Sequence, residues 1–535
     1  MKNRIYIQQW LDLKPYDKQT PTDNYYLTIS NKIFKILYSP DSFILLTYID
    51  KKEIELLACF LASYFEDIIS GTNIWNSFSS IHQKLYNKKL PFYNTKEYFD
   101  KEINVQDVAF LIWYFLNVIQ EEKYIDPHNV FIAKIADRVI SVLDDEYEFA
   151  PENEQLKSFY SIPEGESDFY KVRTGIDTIL FKTWLFYPDS ALELAELELE
   201  IMEEDDDENL MHYLQETRDS LLHTYNTRLL SLKGKEWAAQ ILGENHPLAN
   251  DLLNMSQRIK GFFLYKGQND EDIFIEHIAS GKKFNLSKKS FDHAHLLTAV
   301  DTIMYIGIVK WQNEWWFSGV YFQNEFNADL VLNEKNSLES RRQVNFLDHE
   351  SKDVKETLNQ QLNAFLSYNK GSQIAFMPSD EIEQFVKNYT EYFNASLNLS
   401  QTEIEDARRR TRNDGLLNTE NNSTIDFTEK SETGLVFFNQ NSGVEIALNF
   451  NETLPFKNNS WYNPEVDGRE ILDLFISEET SRELAEYCIK HCKNKLPFFK
   501  STSGKLFLKD IDFLLRFWKR NSYFTKPSIT LTGKD

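Results

Sequence analysis

The sequence predicts a multidomain, helix-dominated α+β protein: a helical N-terminal half, a small central β module and an α+β C-terminal domain. Three observations lead there. The chain has 535 residues of which 42% are hydrophobic, enough for several cores of ordinary size. Its aromatic content is 14%, against only 17 Gly and 14 Pro, so large buried side chains are plentiful and turn residues scarce. And the apolar spacing changes from a helical period to strand-like alternation near Ile259.

Residues 1–250 read as a helical domain. Pro21-Thr22-Asp23 is a start signal followed by Tyr26, Ile29, Ile33 and Ile36 at helical spacing, and Ile54, Leu57, Leu61 and Phe65 repeat the pattern after Lys51-Lys52-Glu53. Further helices are expected from Val105 to Gln120, from Asn129 to Leu143, from a Ser190/Glu193 capping box onward, and from Asn209 to Leu232. Val108–Leu116 is the longest apolar run. At nine residues it is too short for a bilayer, which needs about 20.

Residues 255–345 read as a β-rich, barrel-like module. Phe262–Tyr265, Ile273–Ile275, Lys283–Leu286, Met304–Val309 and Glu314–Phe322 are strand candidates separated by turn residues. Residues 346–412 return to helix, with stretches at 351–368 and 378–396 and a third ending in Arg408-Arg409-Arg410-Thr411-Arg412. Residues 413–434, rich in Asn, Thr, Glu and Ser, read as a polar linker. In residues 435–535 a hairpin around Asn439–Gly443 precedes a helix at 478–493, a strand at Leu506–Leu508 and a helix at 510–520.

Charge is unevenly distributed. The formal net charge is -25, yet from Lys490 onward eleven basic residues face three acidic ones. An acidic chain of this kind does not coat nucleic acid along its length, because phosphate neutralisation needs clustered Lys and Arg. It suits docking of a protein partner, and Arg516, Lys519 and Arg520, interleaved with Phe513, Phe517 and Trp518, are the candidate partner-binding residues. Local nucleic-acid contact through the same helix is an alternative. The acidic runs Asp144–Glu146 and Glu203–Glu208 are candidate docking surfaces for a basic partner.

The opening Trp10-Leu11-x-Leu13-x-Pro15-Tyr16 and the ending Asp512–Arg520 with Lys526-Pro527-Ser528-Ile529-Thr530 resemble a Bacteroidetes-type family of conserved hypothetical proteins with no established activity. That resemblance implies a bacterial, cytoplasmic protein. The N-terminus has no apolar signal core, and three cysteines, Cys59, Cys488 and Cys492, are too few for a disulfide framework, so a cytoplasmic location and no membrane contact are expected.

Two clusters could hold a metal. Asp292, His293 and His295, with Asp301 nearby, would ligate if the segment were a strand, because residues two apart then share a face. Cys488, His491 and Cys492 lie at i, i+3 and i+4 of a helix and would need a fourth ligand. Both patterns are short of a full ligand set; a solvated loop and a buried Cys pair are the ordinary readings. Ser501–Lys505 lacks the first Gly of a phosphate loop, and neither a nucleophile elbow nor His-Glu-x-x-His occurs. The expected role is a cytoplasmic interaction or adaptor protein that needs no cofactor. A metal-dependent hydrolase or nuclease built on the central module is the catalytic alternative.

Overall fold

In a computed structural model of the chain, residues 4–120, 124–204, 209–337, 340, 344, 352–397, 400–403, 405, 431–466 and 470–524 are described. They divide into two units: Met1–Met255 with Leu506–Phe517, and Ser256–Lys505 with Trp518–Asp535.

The first unit is helical: α1 (Ile7–Leu11), α2 (Asp23–Leu37), α3 (Lys51–Ser70), α4 (Ile74–Tyr86), α5 (Val105–Ile119), α6 (Val130–Glu146), α7 (Glu154–Phe159), α8 (Phe169–Lys182), α9 (Leu192–Glu204), α10 (Leu210–Thr224), α11 (Gly234–Leu242) and α12 (Leu248–Asn254). α3 starts on a reciprocal capping box between Asp50 and Glu53 and stops at Gly71, whose left-handed φ of 62° an L side chain rarely adopts. Its stripe Ile54, Leu57, Leu61 and Phe65 is fully buried. The apolar run of α5 is a core helix, buried from Val108 through Leu116. Among the described residues no helix is long and apolar enough to cross a membrane. One helix start differs from expectation. Ser190 caps nothing: its buried hydroxyl donates to the carbonyls of Leu180 and Phe186, in a π-turn (Tyr187–Ala191) that runs into α9.

The chain returns to this unit through α19 and α20. α18 (Pro497–Lys500), α19 (Thr502–Lys509) and α20 (Ile511–Trp518) follow one another closely. The strand expected at Leu506–Leu508 is therefore helix. Ser501 Oγ accepts from Gly504 N at 3.0 Å, an N-cap that starts the turn. Phe513 enters an aromatic cluster, 5.6 Å from Phe92 and 6.0 Å from Phe110, and Phe517 lies 5.0 Å from Trp113.

The second unit opens with a closed five-stranded barrel, order β1-β2-β3-β5-β4: β1 (Ile259–Gln268), β2 (Asp272–His277), β3 (Lys283–Ser287), β4 (Ile303–Trp311) and β5 (Glu314–Asn324). β1 pairs antiparallel with both β2 and β4, and β3 meets β5 in parallel at Leu286↔Trp315. Ile259, Phe263, Ile273, Ile275, Phe284, Leu286, Met304, Ile306 and Ile308 fill the interior. At the β4 bulge, Gly307 lies so close to the Ser318 carbonyl and the Arg258 guanidinium that a Cβ would overlap both. Gln312 and Asn313, both at positive φ, make the tight β4–β5 turn.

Beyond the barrel come α13 (Ala328–Asn336), α14 (Lys352–Tyr368), β6 (Ile374–Pro378), α15 (Ile382–Ser396), β7 (Thr433–Asn439), β8 (Gly443–Leu448), α16 (Ile471–Ile476) and α17 (Arg482–Cys492). The expected hairpin forms, and β6 adds to it as an edge strand in the order β6-β7-β8. Phe365, Met377, Tyr389, Phe393, Val436 and Phe438 are its core with α14 and α15. Most of the expected linker at 413–434, from 413 to 430, lies outside the described residues, and Thr433 already begins β7.

Candidate functional site

The proposed metal ligands of the central module do not converge. Asp292–Leu296 is a 3-10 helix rather than a strand, so residues two apart sit roughly two-thirds of a turn from each other. His293 stacks on Tyr321 at 5.1 Å, and His295 Nδ1 lies 3.0 Å from the Asp292 carbonyl. Asp301 pairs with Lys266 at 2.7 Å. The Cys488 and Cys492 side chains are buried along α17, whereas His491 turns outward onto Tyr487, 4.2 Å between rings. Desolvation pushes the Cys488 thiol well up and that of Cys492 up to about 12. Among the described residues no group of three or more His, Cys, Asp or Glu side chains could hold a metal ion.

The basic helix is not the exposed face that its charges suggested. Lys519 is 2% exposed and donates to the Ser477 carbonyl (2.5 Å), the Thr480 carbonyl (2.8 Å) and Thr480 Oγ1 (2.6 Å), tying the turn between α16 and α17. Burial pushes its amine down to about 7. Arg520 is buried 3.8 Å from Glu478, and Arg516 reaches Asp512 at 3.0 Å and the Leu230 carbonyl at 3.4 Å. Most of the acceptors these cations meet are distant in sequence, which a local charge count does not reveal.

What the fold does assemble is a buried polar network around the opening motif. Trp10 Nε1 and the Tyr16 hydroxyl donate to Asp23 Oδ1 at 2.8 and 2.9 Å, and Thr20 N donates to Asp23 Oδ2. Lys14 Nζ donates to Glu66 (2.5 Å) and Ser63 (3.0 Å) and lies 3.6 Å from the Trp10 ring centre. Asn153 closes the circuit, its Nδ2 donating to Glu66 Oε1 and Tyr16. Each charge here has a partner of opposite sign or a donor, so the network holds α1, α2, α3 and α7 in register and leaves no group free to react. Deeper in the same unit, burial pushes Asp107 up to about 7 while Tyr64 donates to it at 2.7 Å, and it pushes Asp67 up to about 6.

The opposite situation prevails on α9. Among its described side chains only Leu194 is buried, and the helix packs on α10 through that side, where Glu198 also meets Arg218 at 3.7 Å. Ala195, Leu199 and Met202 are exposed at i, i+4 and i+7, and Glu196, Glu200 and Glu203 form a second exposed row at the same spacing. Leu199 is 59% and Met202 51% exposed; on α10, Met211 and Tyr213 are exposed as well. Of the acidic run 203–208, residues 205–208 lie outside the described residues. The capping-box pattern marked this segment only as a helix; the parallel Ala-x-x-x-Leu-x-x-Met and Glu-x-x-x-Glu-x-x-Glu rows were the available signal for the stripe.

These features define an α+β protein of a helical unit and a second unit that begins with a small closed barrel. Residues 4–267, just under half of the chain, match the model of a family described as "Protein of unknown function (DUF3843)". The match takes in the Trp10–Tyr16 motif and the network around it, and it ends in the first barrel strand. No curated protein and no solved structure matches the chain.

Proposed function

We propose that this is a bacterial cytoplasmic interaction protein, an adaptor that docks a protein partner through the α9–α10 hairpin. The observation that carries the reading is the uncovered stripe Ala195, Leu199 and Met202. An apolar row bordered by carboxylates is what a docking face requires, and an isolated exposed leucine would mean nothing. The cysteines, all free thiols and all buried, suit a reducing compartment. Reading the chain as a metal-dependent hydrolase or nuclease loses its premise with the side chains of His293, His295 and Asp301 otherwise engaged. Nucleic-acid contact through Arg516, Lys519 and Arg520 loses its own in the same way.

A photo-crosslinking residue at Leu199 tests the adaptor reading in cells, with Phe149, exposed on another part of the unit, as the control position. A discrete cross-linked partner from position 199 alone is expected. No product from position 199, or the same products from both, overturns the reading.

A second reading attaches to the barrel, whose strand order is that of the oligonucleotide/oligosaccharide-binding barrel. In such barrels the outer surface of strands 2 and 3 takes the ligand; here it presents half-buried Phe274 beside exposed Lys283 and Asn285. Lys266 and Lys289 are engaged by Asp301 and Glu314, and Lys288 by the Asn269 carbonyl, so a polymer of uncharged sugars suits the face better than a phosphate backbone. Titration with oligosaccharide and with single-stranded oligonucleotide separates the two, and saturable binding of neither removes this reading.

A further inference from the structure

We infer that the partner element received by α9 is a basic amphipathic helix. This rests on the adaptor reading and adds the chemistry of the occupant. The apolar row Ala195, Leu199 and Met202 advances along α9 with the same period as the apolar seam of a second helix laid beside it. The row Glu196, Glu200 and Glu203 is one position further round at every step, on the flank where a neighbouring helix would place its charged side chains.

Charge decides among possible occupants. From Glu193 to Thr217 the chain has eleven acidic residues and no lysine or arginine. A second copy of α9 would set carboxylate row against carboxylate row, which repels, and an acidic or neutral helix would leave the row uncompensated. A helix carrying Lys or Arg beside its apolar seam meets both rows at once. Methionines at positions 202 and 211 add an adaptable thioether surface, able to repack around partner side chains of different shape. The side of α9 that holds Leu194 is spent on the body of the unit, so the stripe is free to serve without unfolding anything.

The test uses the full chain and a synthetic peptide of leucine and lysine patterned as an amphipathic helix, with a scrambled peptide of the same composition as control. Binding is followed by calorimetry at low and high salt. The patterned peptide is expected to bind saturably and the scrambled one about tenfold more weakly. Leu199→Ser with Met202→Ser should weaken the patterned peptide about tenfold while the salt dependence persists. Glu196→Gln, Glu200→Gln and Glu203→Gln together should weaken it similarly and flatten the salt dependence. All these positions are exposed, and circular dichroism should show unchanged helix content in both variants. Absence of saturable binding, equal binding of the scrambled peptide, or full affinity in either variant overturns the inference. Should the peptide fail while the crosslinker at Leu199 still captures a partner, the helix chemistry is wrong and the adaptor reading stands.

Discussion

α3 and α9 are both rich in leucine and glutamate, yet one is buried along nearly its whole length and the other on a single residue. The difference lies in what the surrounding chain brings. Glu66 of α3 meets Lys14 and Asn153; Glu196, Glu200 and Glu203 of α9 belong to a stretch with no lysine or arginine at all. A carboxyl group is carried inside where a cation or hydrogen-bond donors come with it, so the distribution of partners sorts otherwise similar helices into core and surface.

The contrast breaks first at the α3 network. Lys14→Ala should leave Glu66 buried without its cation and cost about 3–5 kcal/mol in urea unfolding of the helical unit. Pairing it with Glu66→Leu should restore much of that, and a single variant with unchanged stability would refute the account. Phe513→Ala opens the aromatic cluster around Phe92 and Phe110 and should cost about 3–5 kcal/mol in the same assay, a loss the helical unit would not suffer if α20 merely rested on its surface.

A third measurement sharpens the contrast through pH. The carboxyl of Asp107 is raised to about 7 by burial, above an unfolded value near 3.9. Between those values the folded state holds the proton more tightly, so stability falls as pH rises from about 4 to about 7 and then levels; the limiting slope is about 1.4 kcal/mol per pH unit. Asp107→Asn should remove that decline, and the difference between variant and wild type should grow in favour of the variant across the window. A pH-independent difference would show that Asp107 is not the group responsible. The smallest effect belongs to α9: Glu200→Gln or Leu199→Ser should change stability by no more than about 0.5 kcal/mol, because neither side chain is buried. A loss several times larger would mean that the stripe is structural.

Much of the fold was legible because local period carries it. The stripe of α3, the apolar run of α5, the five barrel strands and the β7–β8 hairpin all repeat within a few residues. β6 was not, since Ile374–Pro378 is brief and ends in a proline that reads as a helix start; it pairs only at the sheet edge, where a missing N–H is tolerated. Site residues fared worse for a related reason. Lys519 finds its acceptors at Ser477 and Thr480, and Lys14 finds Glu66, separations that no local spacing encodes. Trp10 and Tyr16 stood out in the opening motif, but their roles depended on Asp23, which looked like a helix start, and on Asn153, which looked like nothing. For His293 and His295 the metal reading needed a strand, and the segment coils into an exposed 3-10 turn, closer to the solvated loop that was the ordinary reading.

The return of Phe513 and Phe517 to the helical unit has a kinetic meaning. A ribosome adding 5–20 residues per second reaches Phe513 roughly 10–50 s after it passes Met255. During that interval Phe92, Phe110 and Trp113 lack the two rings that complete their cluster, and the helical unit waits as an unfinished intermediate with an apolar slot exposed. Nascent chains halted between these points are therefore the ones that chaperones should hold, and release should coincide with emergence of α20 from the exit tunnel.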